Sequence, residues 1–357
     1  MENIKNNLPV GILIHYHTTG GSFILAEKLS KKTNARLVCL YTGIKYSEIF
    51  LFVSTLKIFG KRVFVNPRSF KRINKKMSAW HIHYASPVVL PLFFVSRKPK
   101  ILTYHYIFSD SPFLLLPHNF LSKIINILIL IPLNILILNV FVFFVDKITF
   151  ITNAQRIGFR ENILFKESFD SKTVIISNFI ENKIILKDKK VFNLNILFIG
   201  RYTELKGFND LICVSKGLID IPFSLIGDDK YISDMSHVNN IGVIENSEIF
   251  NYYDQHSIFI LPSYTEVFPM TILEAMARGL VILVSDIPGM REIIKEGRNG
   301  YLFPPGDINK MREIILYLKN NPKEIERISK NNLEDIWKFT AEEQVPKYIQ
   351  VYDEILK

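Results

Sequence analysis

The sequence predicts an α/β protein built as two Rossmann-like domains in tandem. Three observations predict it. The chain has 357 residues, too many for one ordinary domain and comfortable for two. Short apolar runs alternate with longer mixed segments, the pattern of βαβ units around a parallel sheet. That series occurs twice, on either side of a polar, lysine-rich stretch from Glu181 to Lys190 that reads as a linker.

The first series opens with a strand over Val10–His15. Gly20–Gly21 then breaks the chain, and Phe23–Leu29 carries apolar residues at helical spacing. Arg36–Leu40, Arg62–Asn66, Trp80–Tyr84, Lys100–Tyr104, Lys147–Thr152 and Thr173–Ser177 read as further strands. In the second series the strands are Asn195–Gly200, Phe223–Gly227, Ile258–Pro262 and Val281–Val284, with helices that include Phe208–Lys216 and Thr271–Arg278. The final stretch, Ala341–Lys357, places Val345, Tyr348, Ile349, Tyr352 and Ile355 on one helical face. No internal repeat goes beyond this doubling.

Hydrophobic residues make up 48% of the chain and charged residues 22%, so a packed globular protein is expected. Cys39 and Cys213 fit no metal-ligand spacing and argue for a reducing compartment. Pro9–Tyr16 is short and lacks a cleavage-site pattern, so no secretory signal is read there. The formal net charge of +10 favours anionic partners. Lys and Arg are dispersed, with small clusters at Lys71–Lys76 and Lys187–Lys190, and no nucleic-acid-binding signature accompanies them. Anionic substrates and an anionic membrane surface fit better than nucleic acid.

Ile124–Val145 is uncharged and long enough to span a bilayer. Pro132, Asn126, Asn134 and Asn139 interrupt it, and a spanning helix would put strands of one sheet on opposite sides of a membrane. A buried or interfacial helix pair is therefore expected. Asp228–Asp229 reads as a solvated turn at a strand end. No Asp-x-Asp occurs in the chain, so no metal–diphosphate site of that type is expected.

Two segments carry chemistry. In the first, a strand ends at Pro262, a loop carries Glu266, and a helix begins near Met270. Free amides at such a helix start can hold a phosphate. Glu274, one turn into the helix, can accept hydrogen bonds from vicinal hydroxyls. The two carboxylates could equally be a general acid and base, or the ordinary acidic bias of a helix start. In the second, Gly200-Arg201-Tyr-Thr-Glu-Leu-Lys206-Gly207 directly follows the strand ending Leu197-Phe198-Ile199. A glycine-flanked loop with one Arg and one Lys suits a diphosphate, and it also suits a surface turn with two solvated cations. Both loops follow strand C-termini, where open α/β sheets bind their ligands.

Taken in order, these pieces resemble the family 4 retaining glycosyltransferases of GT-B fold, across nearly the whole chain. The matching pieces are Gly20-Gly21, Trp80-His-Ile-His83, Thr103-Tyr-His105, Ile175-Ile-Ser-Asn178, Gly200-Arg201 with Lys206-Gly207, and Leu225-Ile-Gly-Asp228. Leu261-Pro-Ser263, the Glu266/Glu274 pair and Asn299-Gly-Tyr-Leu-Phe-Pro-Pro-Gly-Asp307 follow. Single pieces are weakly specific. The Arg/Lys loop combined with the spaced glutamates and the Gly-rich segment is highly specific.

The resemblance implies two domains with parallel sheets facing across a cleft: residues 1–183 for the acceptor, 184–340 for the nucleotide sugar, and a last helix over 341–357 crossing back onto the first. It implies that Arg201 and Lys206 neutralise the departing diphosphate. Glu266, with the Val267 and Phe268 amides, would hold the transferred sugar; Met270 and Thr271 amides would touch phosphate, and Glu274 the ribose. Gly20, Gly21 and Gly200 would line the donor site, and His105 would lie under the donor sugar. His83 reads as structural. The implied enzyme is a hexosyltransferase-type transferase working without metal or cofactor, on a nucleotide-sugar donor. Its expected acceptor is a lipid-linked oligosaccharide in bacterial surface-polysaccharide or lipopolysaccharide assembly, at the cytoplasmic membrane face. A glycerolipid or a soluble sugar is the alternative acceptor, and a catalytically degenerate nucleotide-sugar-binding protein is the alternative to an enzyme. Val267 stands where the family often has Gly, Tyr106 where an aspartate is common, and Ser177 where Pro is usual. The first of these puts sugar identity in doubt.

Overall fold

The computed structural model describes residues 10–15, 21–33, 35–42, 54–58, 61–65, 75–83, 96–104, 131–186, 194–227 and 235–357. Gly20, His105, Lys71, Lys187–Lys190 and the Asp228–Asp229 pair lie outside them, as does 124–130. The chain divides into two units, Met1–Ser177 with Val345–Lys357, and Asn178–Gln344.

In the first unit, β1 (Gly11–His15), β2 (Arg36–Thr42), β3 (Ser54–Ile58), β4 (Lys61–Val65), β5 (Trp80–His83), β6 (Lys100–Tyr104), β7 (Lys147–Phe150) and β8 (Thr173–Ile175) form one sheet. Its order is β4-β3-β2-β1-β5-β6-β7-β8. From β2 to β8 through β1 every pairing is parallel, as the βαβ pattern requires. The edge departs from an all-parallel expectation: β2–β3 and β3–β4 are antiparallel. A short connection between β3 and β4 can only make a hairpin, because a parallel return needs a longer crossover. The helices are α1 (Gly21–Thr33), α2 (Ile131–Phe144), α3 (Asn153–Arg160) and α4 (Lys166–Lys172). Thr152 and Gln155 close a capping box at the start of α3. Beneath it, Phe150, Phe159 and Phe169 pack ring to ring, with centroids 5.3–5.8 Å apart.

Pro132 is the second residue of α2, where its missing N–H costs nothing, and the part of the apolar segment before Ile131 lies outside the described residues. Asn139 is tied to protein: its Nδ2 donates to the Asn162 carbonyl at 3.1 Å, and its Oδ1 accepts from the Leu164 amide at 2.9 Å. The 14 residues of α2 rise about 21 Å, short of a hydrocarbon core of about 30 Å. Among the described residues no helix is long and apolar enough to cross a membrane.

In the second unit the sheet runs β11-β10-β9-β12-β13-β14, all parallel. Its strands are β9 (Ile196–Ile199), β10 (Phe223–Ile226), β11 (Val238–Gly242), β12 (Ile258–Leu261), β13 (Val281–Ser285) and β14 (Gly300–Phe303). β9, β12 and β13 are buried at every position, which is why they read as continuous apolar runs. The helices are α5 (Phe208–Lys216), α6 (Ile249–Gln255), α7 (Met270–Ala277), α8 (Pro288–Ile293), α9 (Ile308–Asn320) and α10 (Pro322–Asp335); α11 (Ala341–Leu356) starts here and from Val345 on is part of the first unit. The stretch from Asn178 to Leu186 packs with this unit. Ile180 and Ile185 are buried in it, and the Leu186 amide donates to the Ala277 carbonyl at 2.8 Å.

The end of α11 belongs to the first unit and is held there by a buried polar relay. His81 meets the Tyr352 hydroxyl at Nδ1 (2.7 Å) and the Thr103 hydroxyl at Nε2 (2.5 Å); Thr103 in turn meets Thr149 at 2.5 Å. His81, Thr103 and Thr149 are fully buried. Tyr352→Phe keeps the ring and removes the hydroxyl that meets the buried His81 imidazole, so it should cost about 1–3 kcal/mol. Scanning calorimetry checks this; unchanged melting would mean that apolar packing alone holds α11.

Candidate functional site

The sheet order explains the site. β9 and β12 are neighbours, so the loops leaving their C-terminal ends meet although about sixty residues separate them. The loop after β9 runs from Gly200 to Gly207 and contains a short 3-10 turn, Glu204–Lys206. Gly207 closes it with φ +65°, a left-handed conformation, and a Cβ there would lie 2.0 Å from the Pro262 carbonyl oxygen. No other residue permits both the turn and that approach. The Tyr264 amide then donates to the Leu205 carbonyl at 2.9 Å, stitching the two loops together.

This juxtaposition pairs Lys206 with Glu266 through a hydrogen-bonded ion pair. The side chains are 22% and 12% exposed, so each charge sits at the rim of the protein with one face open. Ser263, buried beside them, donates to the same Glu266 oxygen at 3.3 Å. Arg201, at the start of the loop, is exposed and forms no ion pair among the described residues.

The loop carrying Glu266, Val267 and Phe268 is fixed from two sides. Asn178 Nδ2 donates to the Phe268 carbonyl at 2.8 Å, and the Phe268 ring packs on Phe339. From the other side α8 comes so close that a Cβ on Gly289 would lie 2.2 Å from the Val267 carbonyl oxygen. α7 starts at Met270 behind Pro269, whose side chain has no oxygen to offer the first-turn amides. Glu274, one turn in, accepts from the Tyr253 hydroxyl at 3.2 Å, and the same hydroxyl approaches the Thr271 carbonyl. Burial, and then the neighbouring carboxylate, hold the Tyr253 phenol well above its ordinary pKa, so it remains a donor to Glu274.

The structure therefore brings together Gly200, Lys206, Glu266, Val267 and Phe268 at adjoining strand ends, with Met270, Thr271 and Glu274 following in α7. Gly21 opens α1 in the other unit. Gly20 and His105 lie outside the described residues. His83 ends β5, whereas the histidine found in a polar relay is His81. Two site-shaping residues escaped the sequence reading. Asn178 ends the Ile175-Ile-Ser-Asn178 piece with no role assigned to it, and Gly289 left no signal because its constraint comes from a segment over twenty residues away. The Asn299–Asp307 segment turns out to be architectural. Buried Asn299 accepts from the Lys295 amide at 2.7 Å, a Cβ on Gly300 would lie 2.2 Å from the Ile282 oxygen, and Asp307 caps α9. Among the described residues no group of three or more His, Cys, Asp or Glu is placed to hold a metal ion.

Comparison with known proteins bears on the family and the fold. Residues 180–335 match the family described as glycosyl transferases group 1. An uncharacterized glycosyltransferase of Methanocaldococcus jannaschii is 30% identical over 198 residues, which cover 53% of this chain and 56% of that protein. The N,N'-diacetylbacillosaminyl-diphospho-undecaprenol alpha-1,3-N-acetylgalactosaminyltransferase of Campylobacter jejuni is 27% identical over 57% of this chain and 60% of its own length. The matched stretch thus spans little more than half the length of these curated relatives. Among solved structures, Anabaena HepE in complex with UDP-glucose superposes with a TM-score of 0.69 at 14% identity, covering 98% of this chain and 100% of that one. The fold is GT-B.

Proposed function

We propose that the chain is a retaining glycosyltransferase of family 4 type, a reading supported by the match of residues 180–335 to the group 1 glycosyl transferases. It moves a sugar from a nucleotide-diphosphate donor to a hydroxyl of a lipid-linked oligosaccharide, without a metal ion. The observation that carries the reading is the Lys206–Glu266 pair, which holds a cation and a carboxylate together at the ends of β9 and β12. A nucleotide sugar presents a diphosphate and sugar hydroxyls side by side, and the pair offers one group to each.

In this reading the donor exchanges the ion pair for two new contacts. Lys206 turns to the diphosphate with Arg201, and the released Glu266 accepts hydrogen bonds from sugar hydroxyls. As the bond from the anomeric carbon to phosphate breaks, negative charge grows on the leaving oxygens, where the two cations stabilise it. The departing phosphate oxygen takes the acceptor's proton on the same face, so configuration is retained. Glu274, oriented by Tyr253, holds the ribose, and the Met270 and Thr271 amides meet phosphate. The relatives support the substrate classes: HepE was solved with UDP-glucose, and the Campylobacter relative is named for a diphospho-undecaprenol substrate.

The test is slow hydrolysis across a panel of nucleotide sugars, with the anomer of the released sugar followed by proton NMR before it mutarotates. One donor should be hydrolysed with its configuration retained, and excess EDTA should leave the rate nearly unchanged. Abolition by chelator with rescue by Mn²⁺ or Mg²⁺, or release of the inverted anomer, would refute the mechanism.

A further inference from the structure

We propose that one face of the first unit docks on an anionic phospholipid bilayer. Leu136, Phe143, Leu164 and Phe165 enter the lipid, while Arg156, Arg160 and Lys166 meet its phosphate head groups. This deepens the reading of the acceptor as lipid-linked and rests on it for its purpose.

The apolar side chains form one surface. Leu136 and Phe143 flank Asn139 on one face of α2, three and four residues to either side. Asn139 is hydrogen-bonded to the Asn162 carbonyl and the Leu164 amide, which sets Leu164 and Phe165 against that same face. These four side chains are 58%, 72%, 73% and 69% exposed, in chain order. Phe144 and Ile157 are exposed beside them in sequence, so of the exposed large apolar residues described in this unit only Ile175 falls outside 136–165. Buried Val142 and Val145 anchor the helix from behind. Scattered exposed apolar residues are normal on a soluble protein; a tethered cluster marks an interaction surface.

The polar border selects the occupant. Next to Ile157 lies an open recess of about 400 Å³ lined by Arg156, Arg160 and Lys166 with Glu161 and Asp170, three cations to two carboxylates. Arg156 and Arg160 share the one Asp170, at 3.2 and 2.8 Å. Lys172 adds an ammonium beside Phe143, donating to the Val142 and Phe143 carbonyls. Apolar tips with cations at their bases match a bilayer, whose phosphates lie just above its acyl chains. A second copy of the chain would bring the same cationic recess toward its own image across a two-fold axis, which is unfavourable.

The experiment floats the full chain with vesicles of equal parts zwitterionic and anionic phospholipid, and separately with zwitterionic vesicles. The chain should float with the mixed vesicles and less with the zwitterionic ones. Leu164→Asp with Phe165→Asp should lower mixed-vesicle binding about ten-fold or more, since two apolar anchors are lost. Phe143→Asp should act in the same direction from α2. Lys166→Glu should weaken binding to anionic vesicles alone and reduce its salt sensitivity. All four positions are exposed, so thermal melting should not change. Absence of the parent from floated vesicles, or equal flotation of the paired variant, would overturn the proposal. So would a parent dimer in sedimentation velocity that the paired variant splits, with neither form floating. Donor hydrolysis read on the same samples separates the two readings. Lost flotation with intact hydrolysis removes the docking face alone, and flotation without hydrolysis of any donor removes the transferase reading alone.

Discussion

Lys206→Ala is expected to lower kcat/KM for transfer by about 10²-fold or more, equivalent to about 2.7 kcal/mol of transition-state stabilisation. Two losses combine. The leaving diphosphate loses a charge-assisted partner at the moment its charge grows, when that partner is worth most. In addition, Glu266 loses the cation that holds it. Its side chain is 12% exposed, and among the described residues the Ser263 hydroxyl at 3.3 Å is the contact that remains. A misaligned carboxylate should make the loss larger than one charge alone would give. Lys206→Arg keeps the charge and should recover part of the activity, though the planar fork does not reproduce a point charge. Steady-state kinetics on the preferred donor decides the matter. Near-normal turnover in the alanine variant would remove Lys206 from the chemistry.

Glu266→Gln should produce a different signature. kcat should fall roughly 10²- to 10³-fold because the sugar hydroxyls lose a charged acceptor whose bonds tighten as the sugar becomes cationic. The donor KM should stay level or decrease, because Lys206 no longer has to leave a carboxylate before meeting the diphosphate. The contrast with Lys206→Ala is the point of measuring both, and the double variant should lose less than the product of the singles because the two side chains contact each other. A higher KM with kcat preserved would assign Glu266 to ground-state binding and contradict its proposed part.

Much of this fold is legible along the chain, for identifiable reasons. β9, β12 and β13 are continuous apolar runs buried on both faces, and α5 keeps the helical spacing expected over Phe208–Lys216. Three strands were not anticipated. β3 belongs to a hairpin at one edge of its sheet, β11 reads Val-Asn-Asn-Ile-Gly with a polar, half-buried centre, and β14 lies inside the Gly-rich segment Asn299–Asp307. β11 and β14 are the two edge strands of their sheet, where one side faces little core and the apolar signal is weak, whereas β3 lies one strand in, between β2 and β4.

The sequence by itself determined the two α/β series, the loops at strand ends and the residue types that suit a diphosphate and a sugar. Periodicity records which side of an element is buried, and glycine records where the backbone turns. Neither records the partner across the contact. Only the tertiary structure decided that Lys206 pairs with Glu266, that Asn178 clamps the carbonyl of Phe268 ninety residues away, and that Gly289 lets α8 press on Val267. It likewise decided that His81 and Tyr352, 271 residues apart, hold the last helix. The physical reason is the strand order: placing β9 beside β12 joins loops distant in the chain, and hydrogen bonds of about 3 Å can form only once that order is built.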